Sequence, residues 1–161
     1  MSRRLICLGL FLAWAVHDAE EVLTASWWSA RVAPRLLAEG WPPAVVSGTT
    51  TPRFAVAAAI VGTAVLAAAI QGARTDGHST FYRAAVVVFG WHGAVHVGQS
   101  LLVRAYVPGL MTAVLLVIPY AIVTRRHLSP DPVPTRTIVA VAIAAIALTV
   151  LAQATSHLLP A

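Results

Sequence analysis

The sequence predicts an all-α, polytopic transmembrane helix bundle of about five spans, and three observations lead to this fold class. First, 58% of the 161 residues are hydrophobic and only 11% are charged, which is far from the composition of soluble proteins. Second, the apolar residues fall into five runs, each long enough to cross a bilayer as a helix. Third, the chain has no lysine and its arginines lie between these runs, so the formal charge of +5 does not indicate nucleic-acid binding.

The five predicted spans follow one another without an internal repeat or a linker, which indicates a single domain over residues 1–161. They cover about Leu5 to Trp27, Phe54 to Ile70, Ala84 to Val103, Val107 to Val123 and Ile138 to Leu159. Residues 29–52 are expected to form an outer loop. Because this loop contains Trp41-Pro42-Pro43, it is not expected to be one continuous helix.

Arginine positions predict the orientation of the chain. With five spans, seven arginines lie on the side of the N-terminus and four lie on the opposite side. Since positively charged loops stay on the cytoplasmic side, the N-terminus is predicted to be cytoplasmic. Arg3-Arg4 before an apolar run also suits a signal peptide, but acidic residues stand where a small-residue cleavage site should be.

The first span carries His17-Asp18-Ala19-Glu20-Glu21 within its apolar stretch. Each ionisable side chain at the centre of a membrane helix costs roughly 2.5 to 3.5 kcal/mol, and no apolar run contains a Lys or Arg to neutralise these acids. Asp18 is rotated away from the other polar residues. Those that share one helical face, at i, i+3, i+4 and i+7, are His17, Glu20, Glu21 and Thr24. A functional polar site is therefore predicted on this face.

A second polar stripe lies in the third span, where His92, His96 and Gln99 share a face. At 1.5 Å per residue, His17 lies about 18 Å past the start of the first span, and His96 lies about 18 Å past the start of the third. The two stripes are thus expected to meet if the helices are neighbours. His157 would lie about 28 Å along the fifth span, near the outer face, and reaches the same site only if that helix starts deeper or tilts.

Imidazole and carboxylate groups at these spacings are suitable ligands for zinc or iron. The candidate ligands are His17, Glu20, Glu21, His92, His96 and His157. His17 and one of the two glutamates are also the candidate acid–base groups. A substrate pocket is expected to be lined by Trp14, Trp91, Gln99 and Thr24. In the purely structural alternative, the histidines form hydrogen bonds between helices and the tryptophans only pack.

These groups favour a metal-dependent membrane enzyme, of hydrolase type, that acts on a lipophilic small molecule or lipid. In this hypothesis the ion activates water and a glutamate that is not bound to it moves the proton. Three alternatives stay open. The first is a metal-free Glu/His isomerase, cyclase or epoxide-opening enzyme, the second is a di-iron oxidase, and the third is a proton- or cation-coupled transporter. Five spans without an inverted repeat leave little machinery for transport in a monomer, so a transporter would require a homo-oligomer.

Three segments together resemble the HXXEE family of small bacterial membrane proteins. They are residues 17–21, His92-Gly93-Ala94-Val95-His96, and Tyr106-Val107-Pro108-Gly109-Leu110-Met111-Thr112-Ala113. The resemblance implies a multi-pass protein of the bacterial inner membrane. It also supports site residues at His17, Glu20, Glu21, His92 and His96 without supplying a reaction, and it does not extend to His157 or Asp18.

Overall fold

The computed structural model describes residues 2–43, 51–128 and 132–156, which are helical except for short connections. The helices are α1 (Arg3–Arg31), α2 (Ala33–Ala38), α3 (Thr51–Arg74), α4 (Thr80–Val103), α5 (Leu110–Leu128) and α6 (Thr135–Ser156). No strand occurs within the described ranges. The predicted all-α fold class is confirmed.

Four of these helices, α3 to α6, are long and apolar enough to cross a membrane. Helix α1 is 29 residues long but is not among the four, because Asp18, Glu20 and Glu21 interrupt its apolar stretch. With α1 as the fifth, the architecture agrees with the expected number of about five spans. The chain is therefore a multi-pass membrane protein.

A polar cap begins α4 before the apolar run that predicted this helix, whereas its last residue, Val103, agrees with the prediction. Ser79, just before α4, accepts a hydrogen bond from the backbone N–H of Tyr82 at 3.3 Å, so the helix begins before the apolar run at Ala84. Its other end is set by Arg104, whose φ of 50° is left-handed and cannot continue an α-helix. For α4, apolar content thus predicts the membrane-spanning part and the last residue but not the first turn.

Helix α1 packs along α3, α4 packs along α5, and α6 lies against both α3 and α4. Two glycines of α3 make room for aromatic rings, because an added Cβ at Gly62 would collide with Trp14 and one at Gly72 would collide with Tyr82. An apolar core fills the half of the bundle that is predicted to be cytoplasmic. Its members include Ile6, Cys7, Leu10, Phe89, Val117 and Leu128. The His-rich segments lie above this core along α1 and α4.

Helix α5 is not regular, since Ala113–Val117 forms a π-helical turn between Leu110–Thr112 and Ile118–Leu128. Pro119 follows this turn, and a proline ring crowds the carbonyl group four residues earlier in an α-helix. The wider π turn relieves that crowding. Such turns often occur at functional sites, and this one begins directly after Thr112, which contacts His17.

Helix α2, which lies in the segment between α1 and α3, packs against the outer end of α4. Val32, Ala33 and Leu36 form a small second core with Trp28 and Trp41, and Val103 packs against it. The Arg35 guanidinium donates a hydrogen bond to the Val103 carbonyl at 2.5 Å. The expected outer loop, residues 29–52, therefore includes the end of α1 and all of α2, while residues 44–50 lie outside the described ranges.

Candidate metal centre

Four side chains from α1 and α4 converge where the two polar stripes were expected to meet. They are His17, Glu21, His92 and His96, and each offers a ligand atom within 4.8 Å of all the others. The pairs His17/Glu21 and His92/His96 each have the i, i+4 spacing, so each helix supplies two donors from one face. This is the one group of three or more such ligands within the described ranges.

The donor atoms lie at distances suitable for a single small ion. Nε2 of His92 is 3.0 Å from Nε2 of His17 and 3.0 Å from Nε2 of His96. Oε1 of Glu21 is 3.1 Å from Nε2 of His96 and 3.9 Å from Nε2 of His17. Ligands about 2.0 to 2.1 Å from a tetrahedral zinc ion are about 3.3 Å from one another, which falls within this range.

The second glutamate, Glu20, is held outside this cluster by the start of α5. Its Oε1 accepts hydrogen bonds from the Tyr106 hydroxyl at 2.5 Å and the Met111 N–H at 3.1 Å. Its Oε2 accepts from the N–H and hydroxyl groups of Thr112, at 2.7 and 2.5 Å. A carboxylate at a helix N-terminus satisfies N–H groups that lack partners within the helix and complements the helix dipole.

Thr112 links Glu20 to His17 and fixes which nitrogen of His17 carries the proton. Because a carboxylate only accepts, the short Thr112–Glu20 contact uses the hydroxyl proton of Thr112. The Thr112 oxygen therefore accepts from Nδ1 of His17, which lies 2.8 Å away. In neutral His17, Nε2 then has a free lone pair that points at the cluster. Metal-binding histidines are commonly oriented by such a bond through their other nitrogen.

The three imidazoles cannot all be satisfied by protons when they are neutral. His17 has no proton on Nε2, and a proton on Nε2 of His92 can be directed at only one of its two imidazole neighbours. If His96 instead donates to His92, the contact between His17 and His92 has no proton. A cation at the centre would remove this conflict, since every Nε2 would then act as a lone-pair donor.

The turn between α4 and α5 closes over the cluster. Gly109 has a φ of 81°, which favours glycine, and a Cβ at this position would lie 2.7 Å from Cε1 of His17 and 2.9 Å from Cγ of Glu21. His96 also interacts with the backbone of Pro108. The turn thus contacts ligand candidates from both helices and leaves no room for a side chain at Gly109.

The cluster is buried on most sides and opens at His92. His17 is fully buried, His96 is 6% exposed and the side chain of Glu21 is 12% exposed, whereas His92 is an exposed residue. The ring of His92 stacks on Phe89, with ring centroids 6.5 Å apart. Access to the cluster is therefore from the side of the bundle on which His92 lies.

The remaining predicted site residues lie apart from the four donors. Trp14 packs into the α1–α3 interface and stacks on Phe11, while Trp91 is 68% exposed and lines a groove between α4, α5 and α6. Thr24 donates a hydrogen bond to the Glu20 carbonyl at 2.7 Å, one turn above the cluster.

Gln99 is exposed on α4. His157 lies outside the described residues.

Sequence reasoning assigned no site role to Tyr106, Gly109 or Thr112. All three lie in the segment that joins α4 to α5, which carries part of the family resemblance but none of the predicted site residues. The available signal was the sequence Pro-Gly followed three residues later by Thr, which is a helix start with a hydroxyl near the first turn. The contact between this hydroxyl and His17 depends on the position of α5 beside α1, which the sequence does not give.

No curated protein and no solved structure matches the chain. A family model described as "Protein of unknown function with HXXEE motif" matches residues 8–124, which include all four donors as well as Tyr106 and Thr112. The motif itself is formed by His17, Glu20 and Glu21. Because the match covers well over half of the sequence, the chain belongs to the HXXEE family.

Proposed function

We propose that this protein is a metal-dependent enzyme, of hydrolase type, that acts on a lipophilic substrate within a bacterial inner membrane. His17, His92 and His96 bind one divalent transition ion, zinc or iron, through their Nε2 atoms. Glu21 is either a fourth ligand or the base beside the ion. The arrangement of the three Nε2 atoms is the observation on which the proposal depends, because neutral imidazoles lack the protons for these contacts.

The surroundings of the four donors support a catalytic site over a purely structural one. When Glu21 acts as the base, the three imidazoles leave the fourth position of a tetrahedral ion available, whereas structural zinc sites use all four positions for protein ligands. A bound ion supplies activation of water near neutral pH. The 3.1 Å distance between Oε1 of Glu21 and Nε2 of His96 supports Glu21 as the base that would accept a proton from such a water.

The exposed position of His92 supports a lipophilic substrate. His92 belongs to a helix that crosses the membrane, and its neighbour Val95 is 52% exposed. A substrate that approaches this side of α4 comes from the hydrocarbon region, where polar molecules are scarce. The scissile group would meet His92 first, while the buried His17 and His96 fix the ion from behind.

One ion is favoured over two. The described residues contain one ligand group of sufficient size, and the four hydrogen bonds to Glu20 occupy the carboxylate that a second ion would need. A di-iron oxidase is therefore less well supported than a mononuclear enzyme.

A metal-free acid–base enzyme is the second candidate, and the close pair of Glu21 and His96 favours it. A carboxylic acid and an imidazole at this distance can donate and accept a proton in one reaction, as an isomerase or cyclase requires. Its activity would survive treatment with a chelator, whereas that of the proposed enzyme would not.

Metal content of purified protein tests the site. The unmodified protein should contain close to one equivalent of zinc or iron by elemental analysis, and His92→Ala/His96→Ala should contain almost none. His78→Ala/His127→Ala is the matched control, because both of these histidines are exposed and lie outside the cluster. Equal metal content in the two double variants would refute the proposed site.

The reaction type is tested with membrane lipid extract in water enriched in oxygen-18. A hydrolase incorporates solvent oxygen into its product, and mass spectrometry detects the heavier product only when metal is present. An isomerase forms an unlabelled product with or without chelator. A transporter forms no new product but moves a solute across the liposome membrane.

A further inference from the structure

A groove of about 770 Å³ lies between α4, α5 and the start of α6, and none of the four metal-ligand candidates lines it. Its wall includes Trp91 but not His92. Successive residues of a helix point about 100° apart, so the groove and the cluster lie on different sides of α4. An inference about this groove is therefore independent of the proposed enzyme activity.

The groove is cationic at one end and apolar along the rest. Arg83, Arg125 and Arg126 line the end that is predicted to be cytoplasmic. Val87 and Trp91 continue the wall at one-turn intervals above Arg83, with Ile122 opposite on α5. From Arg83 to Trp91 the wall rises about 12 Å. No acidic side chain is among its described lining residues.

We propose that this groove binds one anionic phospholipid, with the headgroup phosphate at the three arginines and an acyl chain along Val87, Ile122 and Trp91. Guanidinium groups form paired hydrogen bonds to phosphate oxygens, and basic pockets between membrane helices on the cytoplasmic side suit anionic headgroups. The order of the groove, with charge at the membrane surface and apolar wall toward its interior, matches the order of groups in a phospholipid.

Native mass spectrometry of the full-length protein in detergent tests the proposal, with phosphatidylglycerol and phosphatidylcholine of identical acyl chains as probes. The unmodified protein should retain one phosphatidylglycerol in preference to phosphatidylcholine. Each arginine near a membrane surface contributes about 1 kcal/mol, so Arg125→Gln/Arg126→Gln should weaken this binding roughly 30-fold. Arg3→Gln/Arg136→Gln removes the same charge from the same predicted membrane face outside the groove.

A second variant keeps all arginines and fills the apolar half of the groove. Ile122→Trp should also reduce phosphatidylglycerol retention, because Ile122 is 45% exposed and its enlarged side chain can occupy the groove without disturbing the core. Retention that falls in both groove variants and stays unchanged in the Arg3/Arg136 control supports the site. Equal losses in the two double-arginine variants would show diffuse surface charge and overturn it. Displacement of the lipid by inorganic phosphate alone would also overturn it, as would equal retention of the two lipids.

Discussion

The two sides of α1 are held to the bundle by different kinds of contact. Toward α3, the Trp14 ring fits against Gly62, and the contact is apolar. Toward α4 and α5, the apolar core gives way at the level of His17 to hydrogen bonds and close polar pairs, which are made by His17 and by the two adjacent glutamates. Apolar packing between helices suffices for cohesion in a membrane. The polar contacts of α1 therefore exceed those that folding requires. Substitutions on the apolar side should mainly affect stability, and substitutions on the polar side should mainly affect metal binding.

The largest effect on stability is expected on the apolar side. Gly62→Leu places a side chain where the Trp14 ring lies, and overpacking of this kind costs about 3 kcal/mol. Thermal unfolding in detergent should shift strongly, while the metal content per folded molecule stays unchanged. Gly98→Leu is the matched control, since no atom lies within 4 Å of a Cβ at Gly98. Loss of metal from folded Gly62→Leu protein would show that the two sides of α1 are not separable.

On the polar side of α1, Thr112→Val should lower the affinity for metal. The substitution keeps the size of the side chain but removes the hydroxyl that accepts from Nδ1 of His17, and loss of such an orienting partner weakens metal binding roughly 10- to 100-fold. Competition with a chromogenic chelator measures this change. Thr112→Ser should restore most of the affinity. Thr149→Val, on the exposed face of α6, should leave it unchanged.

Glu20 and Glu21 show how much of the contrast between the two sides of α1 can be predicted from the sequence. The composition and the apolar runs predict the fold class, and the spacing of residues 17 to 24, with the depths of His17 and His96 along their helices, predicts that two polar stripes could meet. The same spacing cannot distinguish the two glutamates, since i+3 and i+4 are equivalent positions relative to His17. Their different environments depend on α5, whose N-terminus lies against Glu20.

Tertiary position likewise decides the roles of the tryptophans. Trp14 and Trp91 both lie within three residues of a site histidine, yet one packs on α3 and the other lines the groove. Hydropathy identified the helices that carry these residues but gives no information on which helix each face contacts.

Gly109→Ala is expected to lower both thermal stability and metal affinity, each to a smaller extent than the substitutions above. A non-glycine residue with left-handed backbone costs about 1 to 2 kcal/mol. Here the new Cβ would also press on His17 and Glu21. Gly40→Ala separates the two causes, because Gly40 has a similar φ of 87° and nothing within 4 Å. Both variants should unfold at lower temperature, and only Gly109→Ala should bind metal more weakly. Equal metal affinity in the two would mean that the turn does not touch the site.

The smallest effect is expected for Tyr106→Phe, which removes one of the four hydrogen bonds to Glu20. Burial raises the pKa of Tyr106, so its hydroxyl keeps the proton that it donates. Loss of this bond should lower stability by about 1 kcal/mol, and metal affinity should fall less than in Thr112→Val.

A double-mutant cycle with Thr112→Val tests whether Glu20 transmits the effect. If both bonds hold the same carboxylate in place, the effects of the two substitutions on metal affinity are not additive. Strict additivity would mean that Tyr106 only anchors the turn, and that Thr112 orients His17 without help from the Glu20 network.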